Sequence, residues 1–575
     1  MKILLIYPYF LDERIQVQDI SAVPIGVYYV GALLKQNHYD VEILNWYNIN
    51  KTPLKIKEIL LAQRPDVIGF SIMHANRWGG IEIARIAKQI DPEVKIVFGG
   101  IGATFLWKHL LKHFKVIDYV VIGEGEYTFL NLLNCLKKKD DDDIKNVKGI
   151  AFKKGSDYIK TESSEFIQDI DNLPVPAKYF EYQHVALSRG CPERCTFCGS
   201  PQFWGPKVRL HSPEYFVDQL EMLYQKGIRF FYFSDDTFML QKKRVIAICK
   251  KILKRNLNIV WVAISSVKYV TAEILAWMRK AGCIQISYGV ESGSEKIRNR
   301  LNKNIKTDQI KKAFALTTRY GILARAYFIY GSAGENWSTI KETLDLIYAI
   351  KPLSVIFYIL DIFPGTALYS DFLKRQNSTD DIWLERIEDM MYCESDPKLP
   401  PELILAFGKK LRTSYYENLP RFAEVIELID KKEFYEMHSD FLSRIGMTFS
   451  HGDYAGIEAI PEKEKIAEGL FKKALDYYPD HRAYLGWATI KQINQVYRAS
   501  IRILTEGMEY FPDSEPLNLC QGINYMNCGE FSKALSFFLK FKDSKEAVYY
   551  IAECYKALGD IENASAFLQK YRSSQ

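Results

Sequence analysis

The sequence has no uninterrupted apolar run approaching the roughly 18 residues a membrane-spanning helix needs, so no span is expected. Its opening stretch, Met1-Lys2-Ile3-Leu4-Leu5-Ile6-Tyr7-Pro8, carries one basic residue and too short an apolar run for a secretory signal. A buried strand is expected there instead. Charge of one sign is also scarce. Lys and Arg number 76 against 70 Asp and Glu, a net +6 spread along the chain, which argues against a nucleic-acid platform. Cysteine is sparse, at 10 in 575 residues. Cys135, Cys249, Cys283, Cys393, Cys520, Cys528 and Cys554 are scattered, with no C-x2-C among them, so no second metal cluster is expected on them. Scattered thiols suit a reducing cytosol, and a cytoplasmic location is the expectation.

The remaining three cysteines stand together as Cys191-Pro-Glu-Arg-Cys195-Thr-Phe-Cys198. Thiolates are soft ligands that suit iron–sulfur clusters. Three on one loop can hold three irons of a four-iron cube and leave the fourth open to a substrate. Two other readings remain at this point. A zinc site would want a fourth Cys or His close by, and only His211 precedes Cys249. Buried cysteines packed as small apolar side chains are the third reading.

The length allows several domains, and the pattern changes along the chain. Residues 1–145 alternate strand and helix patterns, with strands at Ile3–Tyr7, Val41–Leu44, Val67–Ser71, Lys95–Phe98 and Tyr119–Ile122. That alternation predicts an α/β unit with a doubly wound parallel sheet, whose ligands bind beyond the carboxyl ends of the strands. Those ends carry Ser71, Met73 and His74, then Gly99 and Gly100, then Gly123, Glu124, Gly125 and Glu126. Each glycine loop alone could be a plain turn; three on one sheet edge suggest a ligand. Three lysines followed by four aspartates, Lys137–Asp143, read as a solvated loop. Residues 146–182, with Pro174 and Pro176, read as an extended connector.

Residues 183–395 alternate again, with about six strand candidates, including Phe230–Phe233, Val260–Val262, Gln285–Tyr288, Ala326–Ile329 and Val355–Tyr358. The spacing suits parallel strands with outer helices, a barrel whose site lies at the strands' carboxyl ends. Asp235 and Asp236 follow the second strand, Glu291 and Ser292 the fourth, Gly331 and Gly334 the fifth. Residues 396–460 read as a helical extension. From 461 to 575 helix pairs follow. Tyr478-Pro479-Asp480 and Phe511-Pro512-Asp513 stand 33 residues apart, and Ala534 and Ala564 stand 30 apart. Such periods resemble tetratricopeptide repeats, whose concave surface suits a peptide, a protein or a carrier; a plain helical bundle is the other reading.

The cysteine spacing with Phe197 before the third Cys resembles the signature of radical S-adenosylmethionine (radical SAM) enzymes. The strands and loops of 183–395 resemble their partial barrel of six βα units. The resemblance implies a [4Fe-4S] cluster on Cys191, Cys195 and Cys198, with SAM on the open iron. It implies SAM contacts from Phe197, Asp235, Asp236, Glu291, Ser292, Gly331 and Gly334. SAM is then cleaved to a 5′-deoxyadenosyl radical, and the cofactors carry the chemistry. A reductant such as ferredoxin or flavodoxin is the expected partner.

Residues 1–145 resemble the cobalamin-binding domain in front of many such enzymes. The likeness rests on the opening strand, Pro24-Ile25-Gly26, Gly99-Gly100 and Gly123-Glu124-Gly125-Glu126. It implies cobalamin near Ser71, Met73, His74, Gly99, Gly100 and residues 123–126. The D-x-H-x-x-G loop that supplies a histidine ligand elsewhere is absent, and Gly102 stands where relatives often have His. His74, Asn76 and Arg77 are close enough in sequence to reach a corrin's lower face, though a structural role is the plainer reading. The reaction implied is C-methylation of an unactivated carbon. A cyclase or oxidase with the same cofactors, or a repeat scaffold with a degenerate radical domain, are the alternatives. No residue is assigned as catalytic.

Overall fold

The computed structural model describes residues 1–11, 22–47, 49, 52–138 and 143–573. Residues 139–142 of the Lys–Asp run lie outside the described residues. The chain divides into two compact units. The first comprises residues 1–313, 325–350 and 355–411; the second comprises 314–324, 351–354 and 412–575.

In the first unit, strand β1 (Lys2–Tyr7) leads to helix α1 (Ile25–Gln36), β2 (Asp40–Asn45), α2 (Pro53–Gln63) and β3 (Val67–Ser71). Then come α3 (Arg77–Ile90), β4 (Lys95–Gly99), α4 (Ile101–His113), β5 (Tyr119–Val121) and α5 (Glu126–Lys138). The strands run parallel in the order β2-β1-β3-β4-β5. Ile3, Leu4, Leu5 and Ile6 are all buried, as expected of a strand covered on both faces by helices. In this strand order the ligand crevice lies where β1 and β3 diverge.

The stretch read as a connector begins with two more strands, β6 (Ile150–Lys154), which pairs antiparallel with β5, and β7 (Asp157–Lys160), which pairs antiparallel with β6. Ile150, Ala151 and Phe152 are buried there. Gly149 makes the turn with φ +79°, a left-handed conformation natural to glycine.

The second sheet of this unit has six strands in the order β15-β14-β13-β12-β11-β8. They are β8 (His184–Val185), β11 (Phe230–Phe233), β12 (Val260–Ser265), β13 (Cys283–Glu291), β14 (Leu323–Tyr330) and β15 (Ser354–Ile359). A short ribbon of β9 (Ser188–Arg189) and β10 (Arg209–Leu210) stands beside β8. Side chains of Ser212, Thr271 and Thr366 cap outer helices by accepting a backbone N–H in the first turn. The core is aromatic. Phe233 and Trp261 stack at 4.3 Å, and Trp261 Nε1 donates to the Ala281 carbonyl at 2.7 Å.

The second unit is helical from Tyr435 to Ser573. Both aromatic-Pro-Asp segments sit between consecutive helices, as the 33-residue spacing suggests. The capping side chains differ, however. Asp480 caps its own helix, whereas in the next pair Ser514 caps and Asp513 does not. Among the described residues no helix is long and apolar enough to cross a membrane.

Candidate functional site

The cysteine loop leaves the barrel through Gly190, whose φ is +98°. Neighbouring loops hold it in place. Thr196 N donates to Leu301 O at 3.0 Å, Leu368 N donates to Thr196 O at 3.0 Å, and Asn302 Nδ2 donates to Arg194 O at 2.6 Å. All three thiols are unbridged and half-buried, and Phe197 between them is half-buried too. Cys191 Sγ lies 3.6 Å from Thr237 Oγ1. Burial pushes the Cys195 thiol up to about 12; Lys303 opposes this, while Glu291 and the other two cysteines add to it. Three thiolates on one loop can each take a separate iron of a four-iron cube, so the donor set fits a cluster.

The residues after the barrel strands divide into two groups. Asp235 is turned inward. It accepts the Leu187 N–H at 3.0 Å and the Ser188 hydroxyl, and so holds the turn that launches the cysteine loop. Burial pushes its carboxyl up to about 6 against those hydrogen bonds. Ser292 is also turned inward, with its hydroxyl on the Ser294 N–H at 3.2 Å and 3.4 Å from Thr343 Oγ1. Asp236 accepts the Ser200 hydroxyl at 2.5 Å and faces the cavity described below. Glu291 adopts φ +65°, a costly conformation for a non-glycine residue, and pairs with Lys303 at 2.8 Å.

Gly331 and Gly334 take φ +85° and +74°. Glu335 fastens that loop by accepting the Gly331 and Ser332 N–H groups at 2.5 and 3.1 Å. Burial raises the Glu335 carboxyl from the ordinary 4.5 to about 7. The folded chain therefore binds an extra proton between those values. Glu335's contribution to stability is full below the lower value and is lost as pH rises through about 7, amounting to about 3 kcal/mol. Glu335→Gln keeps an acceptor and cannot ionise. We expect it to match the wild type in unfolding stability at pH 4 and to exceed it by about 2–3 kcal/mol at pH 8.5. Parallel pH curves for the two proteins would rule this out.

A cavity of about 340 Å³ lies where the carboxyl ends of the first sheet face the barrel. Ser71, Met73, Gly99, Gly100, Gly123, Glu124, Gly125 and Glu126 line one side; Ser188, Arg189, Trp204, His211, Ser234 and Asp236 line the other. A Cβ added at Gly26 or Gly123 would meet no atom within 4 Å, so these glycines leave open space beside the cavity that a bulky ring can occupy. This fits cobalamin. Gly102 is glycine for another reason. Its Cβ would come within 2.7 Å of the Met73 and His74 backbone, so a histidine there has no room in this chain.

His74 does not line the cavity. It is buried edge-on against Trp383 at 4.1 Å between ring centres. Asn76 donates to Ser71 O at 3.3 Å and Arg77 to Glu388 O at 3.1 Å, so both serve the packing behind the loop.

Sequence reasoning missed two groups here. Glu124 and Glu126 point at arginines. Arg189 reaches Glu124 at 2.6 Å and Glu126 at 2.5 Å, and Arg209 reaches Glu124 at 2.6 Å. All four side chains are nearly fully buried, and the two acids raise the Arg189 pKa despite the burial that lowers it. The only signal in the sequence was Arg189 beside the cysteine loop. The second group is a relay: His211 Nδ1 lies 2.7 Å from Asp171 Oδ1, and Nε2 lies 2.9 Å from the Tyr29 hydroxyl. Tyr29 and His211 both face the cavity. Burial lowers the His211 pKa against the pull of Asp171, so near neutral pH the ring is uncharged and can hold or pass a proton at Tyr29.

The thiol triad follows the first strand of a six-stranded parallel sheet, and the glycine loops wall a crevice at the carboxyl ends of a doubly wound sheet, an arrangement that suits an enzyme with a metal cluster and a second large ligand. Family models agree. The Radical SAM superfamily matches residues 185–347 and the B12 binding domain matches residues 21–133. An uncharacterised methyltransferase of Pyrococcus horikoshii is 31% identical over 381 residues, covering 64% of this chain and 82% of that protein. The anaerobic magnesium-protoporphyrin IX monomethyl ester cyclase of Rubrivivax gelatinosus is 28% identical, covering 60% of this chain and 65% of that one. The structure of the radical SAM methyltransferase TsrM from Kitasatospora setae, with cobalamin and a [4Fe-4S] cluster bound, aligns with a TM-score of 0.59 at 15% identity. The alignment covers 83% of this chain and 100% of that one. The chain belongs to the radical SAM enzymes that carry a cobalamin-binding domain, and its cofactors are a [4Fe-4S] cluster, SAM and cobalamin.

Proposed function

We propose that the chain is a C-methyltransferase acting on an unactivated carbon. One observation carries the reading: a single cavity is walled both by the loops expected to hold cobalamin and by Ser234 and Asp236, next to Thr237 at the cysteine loop. When bound, the cluster with SAM supplies a hydrogen-abstracting radical and cobalamin supplies a methyl group. In this reading the residues lining the shared cavity bring the two groups near each other. In this reading Cys191, Cys195 and Cys198 ligate the cluster. Asp236, Phe197, Glu291 and the Gly331–Gly334 loop surround SAM, while Asp235 and Ser292 act by shaping their loops. Met73, Gly99, Gly100, Gly123 and Gly125 border the corrin, and Glu124 and Glu126 act through the arginines. An external low-potential reductant such as ferredoxin or flavodoxin completes the system in the cytoplasm. The C-terminal helix pairs act as tetratricopeptide-like repeats that bind a peptide, a protein or a carrier.

The test needs no substrate. Anaerobically reconstituted enzyme, loaded with hydroxocobalamin and reduced, is mixed with SAM and the products are counted. We expect S-adenosylhomocysteine, about one per bound cobalamin. If 5′-deoxyadenosine appears with no S-adenosylhomocysteine, the methyl-transfer reading falls. The cyclase or oxidase alternative, favoured by the likeness to the Rubrivivax gelatinosus cyclase, would then take its place.

A further inference from the structure

The last turn of α4 carries His109 and His113 one helical turn apart, on one face. Facing them is Asp381, in a short 3₁₀ segment at Asp380–Leu384. Each of the three offers one ligand atom, and these atoms lie within 4.8 Å of one another. His113 Nε2 is 2.9 Å and His109 Nδ1 is 3.7 Å from the same oxygen, Asp381 Oδ1. The two imidazole rings are 4.9 Å apart between centres.

His109 is the informative member. It is 3% exposed, and neither of its ring nitrogens makes a hydrogen bond. A buried imidazole with neither nitrogen hydrogen-bonded is unfavourable unless something else occupies a lone pair, and the Asp381 oxygen 3.7 Å from Nδ1 is beyond hydrogen-bond reach. Two imidazoles and a carboxylate with ligand atoms this close are the donor types that zinc and similar borderline cations select. Lys112 Nζ stands 3.3 Å from the other carboxylate oxygen, Asp381 Oδ2, and leaves Oδ1 to the histidines.

We propose that His109, His113 and Asp381 bind a divalent transition-metal ion of zinc's kind, separate from the cysteine site. Its position suggests a brace. α4 begins directly after the Gly99-Gly100 turn of the cavity, and Asp381 is two residues before Trp383, which packs on His74. The ion would fasten the far end of the cavity's helix to the segment that supports the Met73 loop.

The test uses the whole chain after reconstitution, with Cys191, Cys195 and Cys198 occupied by the cluster iron. It is dialysed against buffered zinc and the bound metal is counted. We expect one zinc per chain beyond the cluster iron, with His113→Ala and Asp381→Asn each weakening zinc binding at least about tenfold. Iron content should be unchanged in both variants. Zinc-edge absorption should show nitrogen and oxygen neighbours without sulfur. Wild-type and variant chains that bind zinc equally, no bound zinc, or sulfur at the zinc edge would each overturn the proposal. A fault in the methyl-transfer reading would leave these readouts untouched.

Discussion

Replacement of Cys191, Cys195 and Cys198 together by alanine lowers iron after anaerobic reconstitution from about four atoms per chain to background, and SAM cleavage disappears with it. The thiols are half-buried on a loop, so loss of three sulfur atoms disturbs little packing. The loop's backbone ties to Leu301, Leu368 and Asn302 use carbonyl and amide groups of Thr196 and Arg194, which the substitutions keep. Cobalamin uptake persists, because none of the three cysteines lines the cavity. Iron retained at the wild-type level would remove the basis of every enzymatic reading of this loop.

The second large effect is on stability. Arg189→Met leaves Glu126 buried without its guanidinium partner, and leaves Glu124 with Arg209 alone. Breaking one side of a buried pair costs about 3–5 kcal/mol, chiefly because a charge stays buried and uncompensated. Placement of Glu126 in the first turn of α5 offsets a little of this through the helix dipole. Removing that charge as well, in Arg189→Met with Glu126→Gln, restores a substantial part of the loss. Denaturant unfolding of the wild type, the two single variants and the double variant measures the coupling. A single variant within about 1 kcal/mol of the wild type would show that the cluster of charges contributes nothing. Cobalamin affinity should fall in parallel, since Arg189, Glu124 and Glu126 line the cavity.

Much of this was legible because it is local. Three thiols within eight residues can be read without knowing what surrounds them. Strand β1 shows itself by its unbroken apolar run, and the glycine loops by their place just after strands. The strands at Ile150–Lys154 and Asp157–Lys160 were not legible as part of the first sheet. The first pairs with β5 and the second with the first, on an edge that exists only once the parallel strands are assembled.

The site divides the same way. Asp235 and Asp236 are adjacent and chemically alike, yet one is turned to the Leu187 turn and the other to the cavity. Alternation along the chain sends neighbouring side chains to opposite sides, and only the packed barrel says which side is which. His74 looked available in a loop, and burial against Trp383, some 300 residues later, removed it. Glu124 and Glu126 looked free to meet a ligand until Arg189 and Arg209 arrived from the ribbon beside the barrel.

By itself, then, the sequence determined the three-cysteine loop, the two α/β patterns and the turn glycines, because each rests on residues close enough in the chain to act together. The tertiary structure alone decided which acids face the cavity and which are held by arginine. It alone placed Tyr29, His211 and Asp171 in one relay and left His109 without a hydrogen bond opposite Asp381. Those outcomes depend on which distant groups share a low-dielectric interior, where an unpaired charge or lone pair is costly and must find a partner in space.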